Sequence, residues 1–210
     1  MNTRQEYQNR IIHVLKSEID STKATKTDQM PQIPVSNVGF EYTLKSDLFS
    51  GIFDGISKKF GTYLADSSDV GVTASSFDGS SNSPKQVLKN DNSYWCSKNH
   101  PNSWIQFDFK HRNVSITSYS LNDRNRVKSW TVKGSKDGSK FEIIDQKVDS
   151  TAFQFNNGLY SDPNNQKNFQ VIPNNQYYRY IRITSIGKNW YDTDYFILHR
   201  VEFFGFVQYD

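Results

Sequence analysis

The sequence predicts an all-β domain, an antiparallel sandwich or barrel, behind one amphipathic helix. Three observations carry this. From Val70 onward, short apolar runs alternate with clusters of Gly, Pro, Asn, Asp and Ser, the texture of strands joined by turns. No helical period interrupts those runs, which argues against a parallel sheet with crossover helices. Aromatic residues make up 15% of the chain, against a hydrophobic total of 35%, and each brings a large apolar area to a core.

At 210 residues the chain has room for one sizeable domain and a small appendage. Residues 1–20 read as an N-terminal helix. Thr3 and Glu6 fit a capping box, and Tyr7, Ile11, Ile12, Leu15 and Ile19 fall on one stripe. Such a stripe serves either to pack on the domain or to recruit a partner or second copy, and the pattern alone does not separate the two. Residues 21–44 read as a linker, polar and carrying Pro31 and Pro34; residues 45–207 read as the sandwich domain.

Within the domain, Phe49, Ile52, Phe53, Ile56 and Phe60 recur at helical spacing, and this segment is expected to cover one end of the sandwich. Eight strands are expected, at 70–75, 104–109, 114–121, 130–134, 141–146, 169–172, 178–186 and 197–206. Trp104, Phe107 and Phe109 do not alternate cleanly, so their strand is expected to be buried on both faces. Asp137-Gly138 between two apolar runs marks a hairpin turn.

Composition also bears on function. The formal charge is +3, with Lys and Arg scattered among 22 acids rather than gathered in a stripe, which speaks against a nucleic-acid partner. A single cysteine, Cys96, excludes an internal disulfide. The first residues lack the apolar run of a signal peptide and nothing later approaches a membrane span, so a cytoplasmic protein without membrane insertion is expected. The four His fall in no metal motif, and no nucleophile elbow, P-loop or dinucleotide fingerprint is present. The reading is non-enzymatic.

The runs SWIQFDF, VSITSYSL, KSWTVKGSKDGSKFEIID, YRYIRITSIGKN and HRVEFFG resemble, in order and spacing, successive strands of the discoidin domain, the coagulation factor type C family of the galactose-binding-like superfamily. The most diagnostic piece is W-x-V-x-G-S-x-D-G from Trp130 to Gly138. The resemblance implies an eight-stranded jelly-roll sandwich whose ligands bind at loops clustered at one end. Extracellular members usually carry two cysteines bridging the domain ends; the single Cys96 here is similar instead to an intracellular branch.

Three loops are therefore expected to form a binding site. The first, Ser76–Pro84, carries Phe77, Asp78 and Asn82; the second, Asn122–Lys128, carries Asn122, Arg124 and Arg126. The third carries Lys188, Asn189, Trp190, Tyr191 and Asp192. Aromatic faces with planar hydrogen-bonding groups suit a sugar ring or a protein segment equally. Each loop also has a plainer reading, as solvated turn residues with aromatics capping the sandwich. The resemblance further implies a structural calcium, for which Asn90, Asp91, Ser93 and Glu202 offer oxygens, with the Lys89 ammonium competing for the charge. An alternative function is a structural subunit that oligomerises through residues 3–20 and takes no small ligand.

Overall fold

The computed structural model describes residues 39–61, 63–123, 127–154 and 165–209. The expected helix at 3–20 and most of the expected linker lie outside the described residues, as do Arg124 and Arg126.

In chain order the elements are β1 (Phe40–Tyr42), α1 (Ile52–Phe60), β2 (Gly71–Ala74), β3 (Trp95–Cys96), β4 (Trp104–Asp108) and β5 (Arg112–Asn122). There follow β6 (Trp130–Ser135), β7 (Glu142–Lys147), β8 (Gln166–Gln170), β9 (Tyr180–Ser185), β10 (Ile197–Leu198) and β11 (Arg200–Tyr209). Every described pairing is antiparallel. One sheet has the order β1-β11-β5-β8, the other β2-β4-β9-β6-β7, and β3 pairs with β10 as a short ribbon. The result is a β-sandwich, as expected. All eight expected strands are present, the last divided between β10 and β11. The short β1 and β3 are not legible in the sequence, being too brief to show a period.

Two expectations need correction. The strand at Trp104 alternates cleanly: Ile105 and Phe107 face the core, while Trp104, Gln106 and Asp108 face outward. Its aromatics mislead because an outward Trp can bury its ring against a neighbouring Arg rather than in the core. The expected strand at 169–172 lies earlier, at 166–170, and Ile172 is exposed.

Alternation along the strands fills the interior with rings. Phe53 of α1 packs on Phe107, Phe109 and Phe203 with centroids 5.2 to 5.6 Å away. Deeper toward β7 and β8, Trp130 meets Phe153 and Phe169, and Tyr119 stacks on Phe169. Those of them that are fully buried, Phe107, Phe109, Trp130, Phe153 and Phe203, each contribute about 1.5–3 kcal/mol of transfer free energy. The polar tips are satisfied in place: Trp130 Nε1 donates to the Tyr119 hydroxyl (2.8 Å), which donates to Asp145 Oδ2 (2.7 Å). Burial, together with that carboxylate, pushes the Tyr119 hydroxyl far above its ordinary range, so it remains a donor.

Helix α1 closes one side of the sandwich with Ile52, Phe53 and Ile56, as its spacing predicts. Its N-terminus lacks a capping side chain of its own, because the preceding residue is Gly51. A Cβ there would collide with the Phe203 carbonyl oxygen and lie 2.9 Å from Glu202 Cγ. The cap comes instead from β11. Glu202 Oε1 accepts from Phe53 N (2.9 Å) and Phe203 N (2.9 Å), and Oε2 accepts from Asp54 N (3.1 Å).

Candidate functional site

Register decides which loops share an end. Asn122, the last residue of β5, pairs with Arg200 at the start of β11 and with Gln166 at the start of β8. In the other sheet, Trp130 at the start of β6 pairs with Ser185 and Lys147, and Trp104 pairs with Thr184. Ala74 at the end of β2 pairs with Ile105. The segments after β2, β5, β7 and β9 therefore all leave the sandwich at the same end.

Backbone and side-chain bonds tie these segments together. Lys98 N donates to Ser76 Oγ (3.0 Å), Asp78 N to the Cys96 carbonyl (2.8 Å), and Asp194 N to Asn99 Oδ1 (2.8 Å). Ile186 N donates to the Ser129 carbonyl and Ser150 N to the Lys128 carbonyl, both at 2.8 Å. The segment 97–99 thus links the loop of Phe77 to the loop of Asp194, while 128–129 links the latter to the loop after β7.

The sequence-named residues take different roles here. Phe77 is 45% exposed, with Asp78 exposed beside it; Asn82 Nδ2 donates back to the Asp78 carbonyl (2.6 Å) and fixes that turn. Asn122 sits at the strand end, its carbonyl accepting from His199 N (2.8 Å). Lys188 pairs with Asp194 at 2.9 Å, and Asp192 is exposed in the left-handed region.

Asn189 is not available to a ligand. It is 4% exposed, and both ends of its amide are committed within the loop. Oδ1 accepts from Tyr191 N (2.9 Å) and Thr193 N (3.1 Å), while Nδ2 donates to Thr193 Oγ1 (2.8 Å) and the Tyr195 carbonyl (2.9 Å). That exhausts its two acceptor and two donor positions. It is the residue that shapes the loop.

The expected exposed aromatic pair is half-buried. Trp190 leans on the loop after β7, its Nε1 donating to the Ser150 carbonyl (3.3 Å), and the Lys128 ammonium lies 5.0 Å from the ring centroid. Lys128 is itself held by Asp149 at 3.0 Å. Sequence reasoning misses Lys128 and Asp149 as site residues because a lysine and an aspartate beside short strands carry no signal until the loops meet. What the end offers is one exposed ring at Phe77, a half-exposed indole under a cation at Trp190, and carboxylate, amide and ammonium groups between.

The oxygen set implied for calcium does not assemble into a cation cage. Both oxygens of Glu202 are occupied by the amides that cap α1, and the residue is 2% exposed. Asn90 Oδ1 accepts from Arg200 Nη1 (2.7 Å), so a guanidinium stands where the ion would need a ligand. Asp91 is turned to its own loop, accepting from the backbone and hydroxyl of Ser93. Among the described residues no group of three or more His, Cys, Asp or Glu comes together as a metal site. Calcium takes six to eight oxygens, and these residues do not fit it. Burial pushes the pKa of Glu202 up to about 7 despite the amides that pull it down.

Comparison with known proteins agrees with the fold. No curated protein matches the chain. Among solved structures it is similar to chitosan-binding module 2, in complex with chitotriose, of a chitosanase/glucanase from Paenibacillus sp. IK-5. That match has 12% identity and a TM-score of 0.52, and it covers 65% of this chain and 97% of that one. It is also similar to the CBM32 module of AlyQ in complex with 4,5-unsaturated mannuronic acid, at 21% identity and TM-score 0.50, covering 64% of this chain and 93% of that one. A family model, the F5/8 type C domain, matches residues 71–203. The match spans well over half of the chain, from β2 into β11, and the protein belongs to the F5/8 type C domain family.

Proposed function

We propose that the protein is a non-catalytic recognition module that holds a glycan at its loop end, between Phe77 on one side and Trp190 with Lys128 on the other. The observation that carries this is the strand register, which delivers separate loops to one end and leaves aromatic and planar polar groups there together. A sugar ring has an apolar C–H face that rests on an aromatic side chain and a rim of hydroxyls for carboxylates, amides and ammonium groups. Phe77 and Trp190 supply the first need; Asp78, Lys128, Lys188 and Asp192 supply the second. Asn189 contributes indirectly, by fixing the backbone from which Trp190 projects.

A glycan is favoured over a protein segment because, among the described residues, the rings at this end stand in separate loops between charged and amide groups rather than in one apolar centre of the kind that anchors a protein interface. The ligands of the similar modules, chitotriose and an unsaturated uronic acid, guide the panel to be tested. The experiment is isothermal titration of the purified chain against amino-sugar, uronic-acid and galactose-containing oligosaccharides. Phe77→Ala and Trp190→Ala are each expected to weaken the best ligand about tenfold, the loss of one ring contact. No binding across the panel, or binding by both variants as tight as the parent's, would overturn the reading.

A further inference from the structure

The outer face of the five-stranded sheet carries a charge arrangement that neither packing nor the loop-end reading explains. Arg182 lies at the centre of this face on β9. Its guanidinium is held between Phe141 (3.9 Å to the ring centroid) and Trp104 (4.4 Å). Gln106 Oε1 accepts from its Nε (3.0 Å) and Nη2 (2.6 Å). Directly opposite in register on β6 is Lys133, on the same face. Like charges facing each other across a strand pair are destabilising. Among the described residues Lys133 makes no ion pair, and the partner of Arg182 is a neutral amide.

Nearby acids do not relieve this. Asp108, on the same face, is taken by Arg179 (2.8 Å) and Lys110 (3.0 Å). Asp137 spends its carboxylate on the amides of its own turn, and Glu142 accepts from the Tyr178 hydroxyl (3.1 Å). The rest of the face is mixed: Thr73, opposite Gln106, is exposed and Thr184 is half-buried, Thr131 is buried, and Ile143, opposite Lys133 on β7, is exposed.

We propose that this face is a second binding surface, for an extended anionic glycan bearing carboxylate or sulfate groups, with Arg182 and Lys133 as its anion-recognising pair. The stacked guanidinium is preorganised: rings fix its plane, Gln106 fixes its rotation, and its remaining N–H groups are directed by that frame rather than by solvent. A carboxylate or sulfate laid across β6 and β9 would remove the repulsion between the two cations. The half-buried Trp104 and Phe141 rings that hold Arg182 offer apolar faces to the C–H side of sugar rings beside the two cations, and Thr73 and the Gln106 amide offer polar partners to their hydroxyls.

The test uses the full chain, with polygalacturonate and heparin as probes, neutral dextran as control, and poly-glutamate and duplex DNA as comparison polyanions, by affinity electrophoresis at low and at physiological salt. Binding to at least one polyanion is expected, weakening as salt rises, with none to dextran. Lys133→Glu, a surface change, is expected to weaken it about tenfold or more. Arg182→Gln, checked for folding by circular dichroism, should do the same. Trp190→Ala, at the loop end, should retain it, which separates this surface from the loop site and lets either fail alone. The proposal is overturned if neither polyanion binds, if Lys133→Glu binds as well as the parent, if Trp190→Ala abolishes binding, or if poly-glutamate or duplex DNA is preferred to the glycans.

Discussion

The cap that Glu202 provides for α1 makes a pH-dependent prediction of defined sign. The carboxyl is buried, and desolvation raises its pKa from 4.5 to about 7. A group whose pKa is higher folded than unfolded holds its proton more tightly in the folded state. Its stabilising contribution is therefore complete below about pH 4.5 and is lost as the pH rises through about 7. At about 1.4 kcal/mol per pKa unit, the shift corresponds to roughly 3 kcal/mol. The charged groups around it are Arg200 on its own strand, Asp54 on α1 and Asp47 before the helix, and Arg200 feels all three carboxylates.

Glu202→Gln removes the titration while keeping the shape. The amide oxygen can take over the two bonds of Oε1, to Phe53 and Phe203, but the NH2 cannot accept from Asp54 N, so one amide loses its partner at a cost of about 1 kcal/mol. Urea unfolding followed by tryptophan fluorescence at several pH values from 5 to 8 measures both effects. The parent should lose stability across this interval and the variant should not, so the variant, weaker at pH 5, draws level with or overtakes the parent by pH 8. Parallel pH profiles would refute the account, because the pH dependence would then belong to other groups. Repeating the series with calcium or a chelator should leave both profiles unchanged, given that the oxygens of Glu202 are already occupied by amides.

Two further predictions concern stability. Asp108 is the opposite case: burial works against its charge, but the Arg179 guanidinium and the Lys110 amide and ammonium outweigh it and hold its pKa at about 2. Its contribution is present above about pH 4 and lost as the pH falls through about 2; with Arg179 partly in solvent it is worth about 1 kcal/mol. Asp108→Asn should flatten the acid limb of an unfolding titration, and an unchanged limb would exclude the ion pair as its source. Gly134 lies against the Tyr178 ring, so a Cβ there would overlap the ring itself. Gly134→Ala should cost about 1–3 kcal/mol by forcing that ring aside, and a melting temperature equal to the parent's would show that Tyr178 moves freely.

The parts of the molecule that can be read from the sequence are those whose cause is local. Strand alternation at Tyr180–Ser185, the Asp137-Gly138 turn and the apolar stripe of α1 each state their own periodicity, and the structure has each of them. The positions that resist reading take their role from a residue far away in sequence. Glu202 reads as a cation ligand because the family resemblance implies a calcium held between an early loop, here that of Asn90 and Asp91, and an acid near the C-terminus. It is a helix cap because β11 brings it beneath Gly51, and Gly51 makes room by having no side chain. Trp190 reads as a free binding ring because nothing adjacent in sequence can cover it, yet Ser150 in the loop after β7 and Lys128 just before β6 both reach it.

Asn189 carries the same lesson into the binding loop. Its sequence neighbours Trp190 and Tyr191 suggest a ligand contact, since planar amides beside aromatics do serve sugars. The same valence serves a loop equally well, and here four internal bonds consume it. A ligand at this end must therefore be held by groups whose capacity the fold has not spent: the Phe77 ring, the exposed face of Trp190, and the charged rim around Lys128 and Asp192. Asn189→Ala would then weaken a glycan by loosening the loop rather than by removing a contact. The expected signature is faster backbone hydrogen exchange at 189–195 in the free protein, together with the lost affinity. Lost affinity with unchanged exchange would instead make Asn189 a direct contact.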